Sequence, residues 1–367
     1  MTSVLSEKIA REISERGPVT VERFWEIALF DRRHGYYSAH EPFGRSGDFT
    51  TAPEISQMFG ELIGAWCASA WAGLGRPSPF MLAEIGPGRG TLMADILRTL
   101  RRTAPDCLAA SRIRLVETSE RLAALQASRL EGFDLPIKRV RQIRELEAMP
   151  TIIVANELFD AVPIRQAVLQ EGRWHERVIG LESMGGFAFG AGKPLDRLPA
   201  WLSAIGTRSF ADGTVAEFSP AREALAVELG KRLHGNGGAG LFIDYGHTRS
   251  AVGDSFQAVA AHRYVPVLDN PGEADLTSHV DFASLANRFN EAGLKLSPPQ
   301  TQGNFLLSMG LLERAGHLGA PLDEAGRNQI RADVQRLAGN GPQDMGDLFK
   351  VLAVSSAPLD LPPFSTG

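Results

Sequence analysis

A short apolar run, Met81-Leu82-Ala83-Glu84-Ile85, breaks into Gly86-Pro87-Gly88-Arg89-Gly90 and then into a helical pattern over residues 91–100, with Leu92, Ile96 and Leu100 on one face. This succession constrains the chain more than any other feature. It reads as a buried strand feeding a helix through a tight turn. Ile113-Arg114-Leu115-Val116-Glu117 is a second strand, and Ser119 is placed to cap a helix over Glu120–Leu130. Thr151-Ile152-Ile153-Val154-Ala155 carries no charge, as expected at the centre of a parallel sheet. Such alternation predicts an α/β fold with a doubly wound, Rossmann-like core.

The flanking segments are read more coarsely. Leu5, Ile9 and Ile13 recur every four residues and predict an amphipathic helix, followed after Gly17-Pro18 by a second short helix. Residues 31–53 form a long loop that carries aromatics, a composition suited to a lid or binding loop. A helix is expected over 53–74. Residues 164–169 and 174–179 flank Glu171-Gly172 and predict a hairpin. Residues 181–213 are glycine-rich and give no assignment. A helix starts at Ser219-Pro220 and a buried strand runs over 240–246. Residues 250–280 look loop-like, helices are expected over 281–292 and 302–314, and a last strand over 349–354. The expected division is therefore 1–75 for N-terminal helices and lid, 76–254 for the core, 255–345 for a mostly helical substrate-side insertion, and 346–367 for a strand returning to the core sheet.

Composition narrows the function classes. With 367 residues, 44% hydrophobic and 22% charged, the chain can bury a core without disulfides or metal. A net charge of −5 gives no general attraction to nucleic acid or anionic lipid. Two cysteines, Cys67 and Cys107, make neither a disulfide framework nor a metal cluster, and favour a reducing compartment. No run of 18 apolar residues occurs, and the first residues resemble neither a signal nor a transit peptide.

The chemistry-bearing residues sit where such a sheet binds ligands, beyond the carboxyl ends of its strands. Gly86, Gly88 and Gly90 follow G-x-G-x-G spacing, whereas a dinucleotide fingerprint is G-x-G-x-x-G and a P-loop ends in Gly-Lys-Ser/Thr. Glu84, just before the first glycine, repels phosphate and suits the sulfonium and amino group of S-adenosyl-L-methionine. Glu117, at the end of the second strand, is placed to accept ribose hydroxyls. Asn156, Glu157 and Asp160, in Ala155-Asn156-Glu157-Leu158-Phe159-Asp160-Ala161-Val162-Pro163, are candidates for the transfer centre. Asp48, Phe49 and Thr50, in Gly47-Asp48-Phe49-Thr50-Thr51, are candidates for a lid over the cofactor. Glu217 is a further acid of interest. Asp244-Tyr245-Gly246-His247 and Thr277-Ser278-His279-Val280-Asp281 are weaker candidates, and no metal motif occurs.

Taken in order, these motifs, together with His34-Gly35-Tyr36-Tyr37, Ala52-Pro53-Glu54-Ile55-Ser56-Gln57, Thr301-Gln302-Gly303-Asn304-Phe305 and Met345-Gly346-Asp347-Leu348-Phe349-Lys350-Val351, resemble the MidA-like methyltransferases nearly end to end. That family includes an assembly factor of mitochondrial complex I. The resemblance implies a class I methyltransferase fold with an added substrate-side region, S-adenosyl-L-methionine as cofactor, and a protein arginine as acceptor, in a complex I core subunit or similar protein. It implies the bacterial cytoplasm, or the mitochondrial matrix in a eukaryote. An arginine acceptor would need carboxylates to orient it and take a proton, with Glu157 and Asp160 ahead of Glu217. Two alternatives stay open at this point: a nicotinamide-dependent oxidoreductase, and a noncatalytic assembly factor that binds cofactor and holds a partner.

Overall fold

The computed structural model describes residues 3–39, 50–183 and 185–364. These fall into two compact units. One draws its described residues from 1–49, 159–224 and 249–281, the other from 50–158, 225–248 and 282–367.

The second unit is built on a mixed sheet. Among the described residues, seven of its nine strands form a continuous path: β1 (Phe80–Ile85), β2 (Ser111–Val116), β3 (Lys138–Val140), β4 (Thr151–Asn156), β5 (Gly238–His247), β6 (Lys295–Leu296) and β7 (Phe349–Ser355). Their order across the sheet is β3-β2-β1-β4-β5-β7-β6. The pairs from β3 to β5 are parallel; β7 runs antiparallel to β5 and β6. The order reverses between β1 and β4, the switch point where ligands of open α/β sheets bind. All six residues of β1 are buried, so the run that opens the argument from sequence is a central strand. The predicted helix over Glu120–Leu130 is present, and the Ser119 side chain caps it by accepting the Leu122 N–H.

The helix expected over 53–74 is two helices, Ala52–Ile55 and Gln57–Gly73, separated by Ser56 in extended conformation. The longer one belongs with the sheet rather than with the N-terminal helices. Met58, Phe59, Ile63 and Trp66 lie in one core with Leu82, Leu97 and Val154. Gly60 and Gly64 make this possible: a Cβ on Gly60 would lie 2.4 Å from Asp95 Cβ, and one on Gly64 would lie 3.0 Å from Thr99 Cβ. The helix expected over 302–314 also divides, into Gln302–Ser308 and Leu311–Gly319, at Gly310 with φ +94°. A further helix, Glu324–Ala338, follows.

The first unit begins with helices Val4–Arg16 and Val21–Phe30, and Leu5, Ile9 and Ile13 are buried as their spacing predicts. The predicted hairpin is Arg165–Gln170 with Arg173–Leu181. Glu171 and Gly172 turn it with φ of +50° and +72°, the pair of left-handed residues that a tight two-residue hairpin turn requires. Phe187–Pro194, inside the stretch left unassigned, extends this into a five-stranded antiparallel sheet with Val19–Thr20 and Val215–Phe218. Residues 255–281 are not a helical insertion. They contain a three-stranded sheet of Arg263–Val265, Gln257–Ala260 and Asp275–Thr277, and the helices lie after 281. Among the described residues no helix is long and apolar enough to cross a membrane.

Candidate cofactor site and active site

The turn after β1 holds Gly86, Gly88 and Gly90 at φ of +66°, +51° and +77°. L-residues adopt such angles only at a cost, so the backbone path itself calls for glycine. Gly86 is exposed and Gly90 caps the helix Thr91–Thr103. That helix therefore presents its first N–H groups beside a turn with no side chain at three of its five positions, an arrangement that lets a ligand reach backbone donors.

Glu84 is 3% exposed, and its Oε2 has no hydrogen-bond partner among the described residues. Burial raises its pKa to about 8, against a smaller lowering by the Met93 N–H. A buried carboxyl group with a free acceptor atom, two residues before the exposed Gly86, fits a cationic ligand group. Glu117 lies at the end of β2 and is 7% exposed. Its Oε1 accepts the Ser119 N–H at 2.7 Å and its Oε2 accepts Gln126 Nε2 at 3.1 Å. Burial raises its pKa, and these donors together with the Arg139 charge pull it back. A carboxylate has about four lone-pair sites, so both oxygens can still accept ribose hydroxyls.

At the end of β4, Asn156 lies opposite Ile243 of β5, and the Glu157 N–H donates to the Ile243 carbonyl at 2.9 Å. Glu157 holds φ +54°, unusual for a residue with a side chain. Asn156 Nδ2 donates to Glu157 Oε1 at 2.8 Å, while Asn156 Oδ1 is buried without a partner among the described residues. The backbone and the neighbouring amide together fix where this carboxylate points. Glu84, Glu117, Asn156 and Glu157 thus all lie at the carboxyl ends of the parallel strands of one sheet, in one unit.

The unit boundary falls between Leu158 and Phe159, so Asp160 belongs to the other unit. It is 7% exposed, its Oδ1 accepts the Ala161 N–H, and its carbonyl accepts Arg222 Nη2. Arg222 also donates to the Val162 and His279 carbonyls and to Ser278 Oγ, which ties the Thr277-Ser278-His279 candidates into the same backbone clamp. Glu217 is heavily committed. Its Oε1 accepts Gln166 Nε2 at 2.8 Å and the Ser255 and Phe256 N–H groups at 3.0 and 3.1 Å, and Ser255 Oγ donates to its Oε2. Asp244 is fully buried on β5, and its Oδ1 accepts the Tyr245 N–H. Asp48 and Phe49 lie outside the described residues; Thr50 is half-buried.

Three participants escape a reading of the sequence. Gln126 bridges Glu117 and the Gly88 carbonyl. Arg139 donates to the Glu117 carbonyl and pairs with Glu120. Thr91, first residue of the glycine-turn helix, donates to Glu54. These links span 9 to 38 residues of chain and leave no local pattern.

Comparisons with known proteins agree with this geometry. A family described as S-adenosyl-L-methionine-dependent methyltransferases matches residues 62–300. The mitochondrial protein arginine methyltransferase NDUFAF7 homolog of Drosophila melanogaster is 34% identical over 95% of this chain and 84% of its own length. The human protein arginine methyltransferase NDUFAF7 is 31% identical over 94% and 81%. A crystal structure of a methyltransferase-like protein from Burkholderia thailandensis, bound to S-adenosylhomocysteine, superposes with a TM-score of 0.82 at 26% identity, covering 97% of this chain and 93% of that one. These findings set aside the nicotinamide alternative: the cofactor is S-adenosyl-L-methionine. The chain belongs to this family of S-adenosyl-L-methionine-dependent methyltransferases, with a class I doubly wound core.

Proposed function

We propose that this methyltransferase acts on an arginine side chain of a protein. The observation that carries the reading is the name shared by relatives 31–34% identical over nearly the whole chain, protein arginine methyltransferase. The acceptor is a subunit of respiratory complex I or a similar protein, and the place of action follows it: the bacterial cytoplasm, or the mitochondrial matrix in a eukaryote.

The cofactor supplies an electrophilic methyl group on a cationic sulfur. The protein's own residues would hold it as follows. Gly86, Gly88 and Gly90 leave room for its backbone-facing edge, Glu84 meets its amino group, and Glu117 accepts from its ribose hydroxyls. Asp48, Phe49 and Thr50, the lid expected from the sequence, would exclude water from it. Glu157, steadied by Asn156, meets the guanidinium of the acceptor. That group stays protonated in water, so a carboxylate would have to orient it and receive a proton as the new N–C bond forms and the bond from sulfur to the methyl breaks. Asp160 is the second choice for that role. Glu217 is the third, and its crowded acceptor set favours a bracing role instead. Catalysis rests mainly on alignment and on fixed charges in a water-poor site.

The test is mass spectrometry of arginine methylation in cells with and without this gene, followed by methyl transfer with purified protein and the acceptor so found. Loss of one methylarginine, restored by the purified protein, is expected. Loss of methylation at a residue other than arginine would replace the acceptor assignment.

A further inference from the structure

We propose that Gln126 is a positioning residue of the cofactor site, whose amide locks the ribose-facing carboxylate of Glu117 to the backbone of the glycine turn. The proposal rests on the reading of Glu117 as ribose acceptor.

Gln126 sits midway along the helix Glu120–Leu130 and is 1% exposed. Its Nε2 carries two hydrogens, and both have acceptors: the Gly88 carbonyl at 2.7 Å and Glu117 Oε2 at 3.1 Å. The Ser119 N–H holds the other Glu117 oxygen at 2.7 Å. The carboxylate is therefore gripped at both ends, and one grip is shared with the turn. The fit is close, because a Cβ on Gly90 would lie 3.4 Å from Gln126 Cγ. As a mere filler, glutamine is a poor choice. Its Oε1 is buried without a partner among the described residues, an arrangement that costs free energy and that an apolar side chain would avoid. The two donated bonds are what glutamine adds.

A consequence follows for protonation. Burial raises the Glu117 pKa, and the Gln126 bond is one of the donors opposing that rise. Without it, Glu117 keeps its proton to higher pH and loses acceptor capacity for ribose hydroxyls. Gln126→Met keeps length and shape but removes both donors. Gln126→Glu supplies a donor only when the new acid is protonated.

The experiment is calorimetric titration of the full chain with S-adenosylhomocysteine at several pH values. For Gln126→Met we expect affinity roughly tenfold weaker at slightly alkaline pH, the scale of one hydrogen bond to a charged group. The deficit should widen as pH falls. For Gln126→Glu the trend should reverse, with the deficit against wild type shrinking as pH falls. Glu117→Gln is the control. If it binds like wild type, the ribose reading fails and takes the proposal with it. If it binds weakly while Gln126→Met matches wild type at every pH, the ribose reading stands and the Gln126 proposal is overturned. Should Gln126→Met fail to fold, Gln126→Glu decides alone: affinity relative to wild type at the same pH that rises with acidity supports the proposal, and a flat or falling ratio overturns it.

Discussion

The hydroxyl of Thr91 donates to the carboxylate of Glu54, joining the first residue of the glycine-turn helix to the short helix Ala52–Ile55. The acid also sits at that helix's amino end, where negative charge is stabilising. Residues 43–51, the expected lid, run directly into this helix in sequence. Thr91→Val should therefore uncouple the two. Hydrogen exchange over residues 50–56 should rise in the variant, and S-adenosylhomocysteine should protect residues 43–51 less than in wild type. Unchanged exchange at 50–56 would mean that the contact carries no coupling; no protection at 43–51 in wild type, with clear protection at 84–90, would count against the lid.

Gly88 holds φ +51°, and a β-branched residue there is a strong outlier. Gly88→Val adds both a backbone penalty on the order of 1–2 kcal/mol and a side chain on the proposed cofactor face. Binding of S-adenosylhomocysteine should disappear while the fold persists by circular dichroism. Wild-type affinity in this variant would sink the site assignment.

Glu84 gives a pH signature. Burial raises its pKa to about 8, above the ordinary 4.5. The folded, cofactor-free protein thus holds this proton more tightly than the unfolded chain. The stability this contributes is fully present below 4.5 and is lost as pH rises through about 8. The ammonium group, which S-adenosylhomocysteine shares with the cofactor, favours the ionised form, so affinity for either should rise over the same window and binding near neutral pH should release protons. Thermal unfolding with and without S-adenosylhomocysteine between pH 6 and 8.5 tests both slopes. Glu84→Gln should flatten them. Slopes that persist in that variant would assign the titration elsewhere.

The parts of the fold that were legible are those whose signal is local. The β1 run, the glycine turn and the Ser119 cap are each written within a few residues. The strand Phe187–Pro194 was not, because its alternation is blurred by Gly190 and Gly192 and its stability comes from a partner strand. The three strands within 257–277 are each only three or four residues long, too short to show a period. Site residues followed the same rule. Glu84, Glu117 and Asn156 declare themselves by standing at strand ends. Gln126 reads as an ordinary helix residue, since its partners Gly88 and Glu117 lie 38 and 9 residues away.

Glu217 separates bracing from chemistry. Three backbone or amide donors and a hydroxyl converge on it. Glu217→Gln turns one acceptor into a donor facing other donors. Stability should fall by about 1–3 kcal/mol, the usual cost of breaking hydrogen bonds to a buried charged group, with cofactor affinity unchanged. A variant that keeps its melting temperature but loses methyl transfer would move Glu217 into the chemistry.

Glu157 is the sharpest test of the transfer centre. Its backbone is pinned to Ile243, its side chain is held by Asn156, and its φ of +54° is one that the surrounding structure must enforce. Backbone strain of this kind clusters at functional sites, and here it falls on an acid at the carboxyl edge of the sheet, three residues beyond the Val154 that pairs with Glu84. Glu157→Gln keeps shape while removing charge and proton acceptance. It should retain affinity for S-adenosylhomocysteine and lose methyl transfer by about a hundredfold or more, the range of general acid–base effects. The comparison needs both readouts on one preparation, calorimetry for the cofactor and mass spectrometry for the methylated acceptor. Full activity in the variant would rule Glu157 out as proton acceptor. Loss of cofactor affinity would place it in the cofactor site, and the acceptor role would pass to Asp160.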